Sequence, residues 1–360
     1  MSENRAWVTL LTRPSYLAGA VLLAHTLKKH RSRYPLIVLV TDTLPQGCID
    51  VLQSEDQGSG HIIIKKVDPL VPQQKVNVVA QRFEDTWTKL RVFSLLEYDK
   101  IIFLDADILI MGEMDPMFEI TLTGKDWLGA NQACVCNIDR DAWAPPEWSK
   151  ENCAWSSQEH PAALAQGPLI TPESPPTYHL MNSGVFIFHP SASMWERIQT
   201  FLNTTPLLST FTFPDQHFLD EFFRNKWVSI PWQWNATKTR RYWHENIWRD
   251  EEVRALHYIV DKPWENRIGR DGVAGYKGRD GVTHKWWWNA FDEWEAEKEN
   301  NGEDTSLKLV REHVAKPIGP MGPAMSPNSV LEKGHEAVVN PLTELAAKKP
   351  AKKPAKVTGQ

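Results

Sequence analysis

Two carboxylates, two residues apart, close the apolar run Ile101-Ile102-Phe103-Leu104-Asp105-Ala106-Asp107. At the end of a buried strand, Asp105 and Asp107 can share one hard divalent cation, directly or through water. Magnesium or manganese held by a few carboxylates and a substrate diphosphate suits such a pair. The same residues would also serve a plain Asp-rich turn, so the pair needs partners, and three other stations offer them. Asn182-Ser183-Gly184 precedes the apolar Val185-Phe186-Ile187-Phe188. Its amide and hydroxyl could hold sugar hydroxyls, and Gly184 allows either a tight turn or a close backbone approach. Asp215-Gln216 opens a helical stretch, where Asp serves equally as a cap. His257 can complete a divalent site begun by two carboxylates, or be an ordinary strand histidine. Lys262, five residues on, can neutralise phosphates.

These stations need a scaffold. Residues 7–11, 36–41 and 61–67 read as strands, and 16–30 carries helical periodicity ending in basic residues at 28–33, as a helix C-terminus favours. A helix begun at Pro45 runs to residue 52, and a helical stretch at 88–96 feeds the strand that ends at Asp105. The alternation predicts an α/β fold with a mostly parallel central sheet flanked by helices, whose strand ends deliver ligand-binding residues to one crevice. Residues 127–131, 185–189 and 228–230 read as further strands, 215–223 as a helix, and Ser193-x-x-Glu196 as a capping box for a helix to residue 202. Residues 137–178, rich in Pro, Ser and Ala, read as a long insertion and a candidate lid.

The charge balance of 40 Lys+Arg against 45 Asp+Glu argues against nucleic acid as a partner. Cys48, Cys134, Cys136 and Cys153 are too few and too irregular for a disulfide framework. Cys134-x-Cys136 lacks zinc-knuckle spacing, so the cysteines read as spare buried thiols in a reducing compartment. The apolar run at 17–23 has neither a signal-peptide layout nor the length of a membrane span, which predicts a soluble cytoplasmic protein with no membrane partner. Asn203-Thr204-Thr205 and Asn235-Ala236-Thr237 match a glycosylation sequon that has no use without secretion. Seventeen tryptophans suit either core packing, the favoured reading, or sugar-stacking platforms. The expected organisation is one domain over 1–268, a Trp-rich extension packing on it over 269–299, and a largely disordered tail over 300–360 ending in Lys, Pro and Ala.

In one order, Thr9-Leu10-Leu11-Thr12 with Tyr16, Thr88-Lys89-Leu90, Phe103-Leu104-Asp105-Ala106-Asp107, Asn182-Ser183-Gly184-Val185-Phe186, Asp215-Gln216 and His257 with Lys262-Pro263-Trp264 resemble glycosyltransferase family 8, the group of glycogenins and plant galactinol synthases. The resemblance implies a GT-A (nucleotide-diphospho-sugar transferase) fold, a UDP-glucose or UDP-galactose donor, manganese with magnesium as the alternative, and transfer with retention of anomeric configuration. By position it implies Asp105, Asp107 and His257 as metal ligands and Lys262 at the diphosphate. It also implies Leu10, Thr12 and Tyr16 around uridine, and Lys89, Asn182, Asp215 and Gln216 around the donor sugar. Ser183, Gly184 and Trp264 are further expected substrate contacts, and Asp215, Gln216 and Lys89 form the expected catalytic group. Retention would use Asp215 to stabilise or attack the anomeric centre, or same-face attack assisted by the leaving phosphate. The implied activity is hexosyl transfer to a polyol such as myo-inositol, a sugar or a protein; a homodimer is a candidate assembly, which the sequence does not decide.

The chain departs from that pattern in places. Members of the family often place a glycine and one more residue between the metal-binding His and the Lys, where this chain has Tyr258-Ile259-Val260-Asp261. Thr212-Phe213-Pro214 replaces the Asp and glycines of the glycogenin branch, which implies a different sugar pocket or acceptor. Tyr242 stands where a glycogenin carries its self-glucosylated tyrosine, although Tyr242-Trp243-His244-Glu245-Asn246 looks more like a galactinol-synthase stretch. A self-glucosylating priming protein is therefore the alternative. A haloacid-dehalogenase-type phosphatase would want its Asp-x-Asp early in the chain, and a nucleotidyltransferase would want a Gly-rich basic loop near the start.

Overall fold

The computed structural model describes residues 3–56, 58–73, 86–142 and 144–317. In chain order β1 (Arg5–Leu11), α1 (Leu17–Lys29), β2 (Leu36–Val40), α2 (Gln46–Asp56), β3 (Ile62–Lys66) and β4 (Lys100–Leu104) build a parallel half-sheet. β5 (Ile108–Ile110), β6 (Leu128–Gln132), β7 (Met181–Phe188), α3 (Ala192–Thr204), α4 (Pro214–Phe222) and β8 (Trp227–Ser229) follow. Then come β9 (Ala236–Thr237), α5 (Arg240–Trp243), β10 (Ala255–His257), α6 (Gly281–Asn300) and α7 (Asp304–Glu312). The main sheet has the order β3-β2-β1-β4-β7-β6-β8, with β7 antiparallel to both neighbours, and β5-β10-β9 form a small second sheet.

β4 shows why the apolar run must lie in the middle of the main sheet. Ile102 and Leu104 enter the core layer under α1 and α2, while Ile101 and Phe103 enter the opposite layer with Phe93, Phe186 and Phe188. A strand apolar on both faces is stable only when helices cover both. The stretch feeding it is a run of 3₁₀ turns, Thr86–Ser94, rather than the expected α-helix. β7 starts at Met181, so Asn182-Ser183-Gly184 lies within a strand and not in a preceding turn. Its pairing with β6 jumps from Phe186 opposite Ala130 to Asn182 opposite Asn131, and residues 183–185 bulge from that partner.

α6 lays Trp287, Trp288, Phe291 and Trp294 into the layer beneath α1, all nearly fully buried. Trp294 Nε1 donates to a Glu55 carboxylate at 3.0 Å. These rings are core, and truncating one to alanine would cost roughly 3–5 kcal/mol, comparable to much of a domain's net stability. The chain stays ordered past 300: α7 buries Leu307 and Val310 and packs on α2 and α6. The Lys-, Pro- and Ala-rich end of the expected tail lies outside the described residues. α3 is capped by Ser191, whose hydroxyl accepts the Met194 N–H at 3.2 Å, and not by Ser193. The chain stays extended only through Ser191 after β7, so the helix begins two residues earlier than the capping-box pattern proposes. The 137–178 segment contains short 3₁₀ turns and buries Cys153, Trp155 and Ala163. No helix among the described residues is long and apolar enough to cross a membrane.

Candidate functional site

Between β4 and β5 the chain passes from one sheet to the other, and Asp105-Ala106-Asp107 is the crossing. The Asp105 N–H donates to Gly184 O at 2.8 Å, tying it to β7, and the Tyr258 N–H donates to Asp107 O at 3.0 Å, tying it to the end of β10. Because His257 stands opposite Ile108 in the β5–β10 pair, its ring arrives beside both aspartates. Gly184 is required here: a Cβ would collide with the His257 imidazole. Gly19 does the same for α1, since its Cβ would strike Ala106 O and the Trp264 ring.

The His257 tautomer follows from a chain of hydrogen bonds. The Gly184 N–H can only donate, so the Asn182 oxygen accepts it at 3.1 Å; Asn235 must then turn its NH₂ to that oxygen at 2.8 Å. This leaves the Asn235 oxygen 2.9 Å from His257 Nδ1, so Nδ1 carries the proton. In the neutral imidazole, the form that binds metals, the Nε2 lone pair then faces carboxylates, 3.3 Å from Asp107 Oδ1 and 3.9 Å from Asp105 Oδ2. Asp107 Oδ1 is buried without a hydrogen-bond partner. Lone pairs converging at such distances repel unless a cation lies between them, so the donor set fits a hard divalent ion. Asn235 supplies the outer support that fixes a metal-binding imidazole.

Two lysines brace this cluster. Lys89 Nζ lies 2.9 Å from Asp105 Oδ1 and 2.6 Å from Asp215 Oδ2, while the Ser183 hydroxyl donates to the same Asp215 oxygen at 2.9 Å. Lys262 Nζ donates to Asp107 Oδ2 and, at 2.8 Å, to Tyr258 O. Burial raises the Asp105 pKa; Lys89 opposes this and the neighbouring Asp107 charge adds to it. Burial acts the same way on Asp107, but the Lys262 ammonium outweighs it and holds that carboxyl well below its ordinary range. Asp215, also buried, is lowered by Lys89 and Ser183. Burial would lower Lys89 and Lys262, yet their carboxylate partners hold both above the ordinary lysine value. Three carboxylates thus face two ammonium groups around one crevice.

That crevice is a cavity of about 490 Å³, large enough for a nucleotide-sized ligand. Leu10, Thr12, Tyr16, Lys89, Asp105, Asp107, Asn182, Ser183, Gly184, Asp215, Gln216, His257 and Lys262 all line it. Trp264 does not: it is buried behind Tyr16, edge-on to that ring at 5.6 Å, with its Nε1 donating to Ser15 O at 2.9 Å. Its place is to position Tyr16 and α1. The cavity also takes in residues that local patterning does not single out. Asn137, Asp141 and Trp148 come from the insertion and Trp243 from α5, joined by Tyr276 and Lys277. Tyr276 donates its hydroxyl to Asp141, and Lys277 Nζ lies 2.9 Å from Asp141 Oδ1. Val260, on the cavity wall where the family pattern has glycine nearby, adopts φ +70°. The left-handed backbone at this turn is kept without a glycine. The Tyr242 hydroxyl is buried without a partner, and Tyr242 is absent from the wall.

A model of glycosyl transferase family 8 matches residues 8–267. Galactinol synthase 4 of Arabidopsis thaliana is 27% identical over 289 residues, 79% of this chain and 80% of that protein. Galactinol synthase 1 of Ajuga reptans is 27% identical over 312 residues, 85% of this chain and 87% of its own length. Among solved structures, the glycosyltransferase GlyE of Streptococcus pneumoniae TIGR4 superposes with a TM-score of 0.51 at 18% identity, covering 89% of this chain and 66% of that one. An active-site mutant of LgtC gives 0.51 at 15% identity, covering 80% and 95%. The structural likenesses establish the fold, that of GT-A glycosyltransferases.

Proposed function

We propose that this chain, which belongs to glycosyl transferase family 8, transfers a hexose from a UDP-sugar to a hydroxyl acceptor with retention of configuration and with manganese as its metal. The observation that carries the reading is the convergence of the His257 lone pair and the two aspartates inside a cavity that also holds Lys262, Lys89 and Asp215. An ion bound by Asp105, Asp107 and His257 would supply positive charge to stabilise the departing diphosphate. Lys262 adds a second positive charge from the same wall, exchanging Asp107 for phosphate oxygen when the donor enters. Leu10, Thr12 and Tyr16 hold the uridine, with Trp264 fixing the Tyr16 ring from behind. Asn182 keeps its NH₂ for donor-sugar hydroxyls, since its oxygen is taken by Gly184 and Asn235. Lys89 and Ser183 keep Asp215 ionised and aimed, ready to stabilise positive charge at the anomeric carbon or to attack it.

The galactinol synthases among its relatives make UDP-galactose the favoured donor and myo-inositol the favoured acceptor, with UDP-glucose the alternative donor. Trp148, Trp243 and Tyr276 give the acceptor a wall lined by three aromatic side chains, with the Asp141 carboxylate among them. A self-glucosylating role is disfavoured because the Tyr242 hydroxyl is buried off the cavity. Four free cysteines suit the reducing cytoplasm, which is the location we assign. The test is a panel of UDP-hexoses with and without myo-inositol, in manganese or chelator, reading released UDP and the anomeric configuration of the product by NMR. Manganese-dependent, acceptor-stimulated release from UDP-galactose with a retained linkage is expected. Mass gain on the protein itself would instead support priming, and manganese-independent release would contradict the metal assignment.

A further inference from the structure

Cys134, Cys136, Cys153 and His244 form a cluster separate from the aspartates, one ligand atom from each lying within 4.8 Å of all the others. They arrive from three places: the chain just past β6, the 137–178 insertion, and the turn that ends α5. The sulfurs of Cys134 and Cys153 are 3.9 Å apart. His244 Nε2 stands 3.2 Å from the Cys134 sulfur, 3.3 Å from that of Cys136 and 3.5 Å from that of Cys153. All three cysteines are free thiols, and a disulfide needs its sulfurs about 2.05 Å apart. One imidazole nitrogen offers a single proton or a single lone pair, so it cannot satisfy three sulfurs by hydrogen bonding. A tetrahedral ion can. Zinc–sulfur bonds of about 2.3 Å and zinc–nitrogen bonds of about 2.05 Å put sulfurs roughly 3.8 Å from one another and the nitrogen roughly 3.6 Å from each sulfur.

A second observation concerns charge. Arg240 is fully buried, one helical turn before His244, and its guanidinium donates only to the carbonyls of Asn235 and Gln132 while lying 4.2 Å from the Trp155 ring centroid. Among the described residues no carboxylate pairs with it, and the titratable side chains that interact with its charge are those of the three cysteines. A buried cation needs a compensating anion. A divalent ion with three thiolates and a neutral imidazole carries one net negative charge, which Arg240 balances.

We propose that Cys134, Cys136, Cys153 and His244 bind a zinc ion that pins the 137–178 insertion and α5 to the segment that follows β6. Thiolate and imidazole donors in a tetrahedral set select zinc over the harder ions that suit Asp105 and Asp107, and four protein ligands make the site structural. Cys134 and Cys136 also line the cavity, beside Asn137, Trp148 and Trp243. The ion thereby sets that part of the cavity wall without taking part in transfer.

The full chain, purified without added metal, should carry about one zinc per chain by mass spectrometry of the metal, retained through gel filtration. Titrating the thiols with a mercurial should release it. The cobalt-substituted chain should show thiolate-to-cobalt charge-transfer absorption, which a carboxylate-ligated ion does not give. Asp107→Ala should keep its zinc and Cys136→Ser should lose it. Should Cys136→Ser fail to fold, the zinc content and cobalt spectrum of the unaltered chain decide the matter. A chain that holds no zinc even when produced with zinc present overturns the proposal, as does a cobalt form without the charge-transfer band. So does zinc that leaves with Asp107→Ala and stays in Cys136→Ser.

Discussion

Asp105, Asp107 and His257 on one side, and Asp261, Asp280 and His284 on the other, are the same residue types, each set with one ligand atom per residue within 4.8 Å of the others. In the second cluster Lys238, fully buried, puts its single Nζ 2.6 Å from Asp261 and 2.7 Å from Asp280, and His284 Nε2 lies 3.2 Å from the other Asp261 oxygen. The chain's own ammonium already stands where a cation would stand. Burial would raise the Asp261 pKa, but Lys238 and His284 hold it well below the ordinary carboxylate range. In the first cluster no lysine among the described residues bridges the two aspartates: Lys89 takes Asp105 and Lys262 takes Asp107, each from its own flank, and His257 Nε2 faces the space between. Two aspartates and a histidine therefore make a cation site or a structural ion-pair knot according to where the nearest lysine enters.

The strongest way to break this contrast is to remove a ligand from the first cluster. Asp107→Ala should lower turnover on the order of 10³-fold or more, measured as UDP release, with the circular dichroism spectrum unchanged. The matching change in the second cluster should act on stability. Lys238→Ala leaves Asp261 and Asp280 buried and facing each other, and should cost about 3–5 kcal/mol in denaturant unfolding. Turnover lost by Asp107→Ala at temperatures where the variant is still fully folded, and turnover kept by folded Lys238→Ala, would sharpen the distinction; equal activity losses in the two folded variants would blur it.

Two smaller effects probe the supports. Asn235→Ala frees the His257 ring to rotate or change tautomer, and manganese affinity measured calorimetrically should fall roughly 10–100-fold. Asn235→Asp keeps the acceptor oxygen and should lose less. Val260, in the turn that joins the two clusters, sits at φ +70°, a conformation costing a β-branched residue about 1–2 kcal/mol. Against the roughly 0.5–1 kcal/mol entropic cost of glycine, Val260→Gly should stabilise the chain by about 0.5–1 kcal/mol in the same unfolding assay.

Much of this was legible from local pattern. The short unbroken apolar run before Asp105, bounded by Tyr98-Asp99-Lys100, reads as a strand buried on both faces, and β4 lies there in the middle of the main sheet. The ordered stations from Leu10 to Lys262 do meet in one cavity. Trp264 was misplaced because a short motif records neighbours in sequence, not which side of Tyr16 a ring occupies. Asn235 was visible only as the start of a sequon pattern; its partners, Asn182 and His257, are 53 and 22 residues away. The cysteine cluster hid for the same reason: His244 is 91 residues from Cys153 and 108 from Cys136. Spacing rules for zinc assume ligands brought together by one or two turns, whereas here the segment that follows β6, an insertion and a helix end must all be in place first. α7 was lost in a region whose charge and proline content masked two buried residues, Leu307 and Val310.

The central claim is that Asp105, Asp107 and His257 bind a divalent ion that couples to the donor's diphosphate. Calorimetric titration of UDP into the protein, in manganese and in chelator, for the unaltered chain and Asp107→Ala, tests it most directly. The account predicts UDP binding by the unaltered chain in manganese, sharply weakened in chelator and in Asp107→Ala even with manganese. Equal UDP affinity in all four titrations would contradict it.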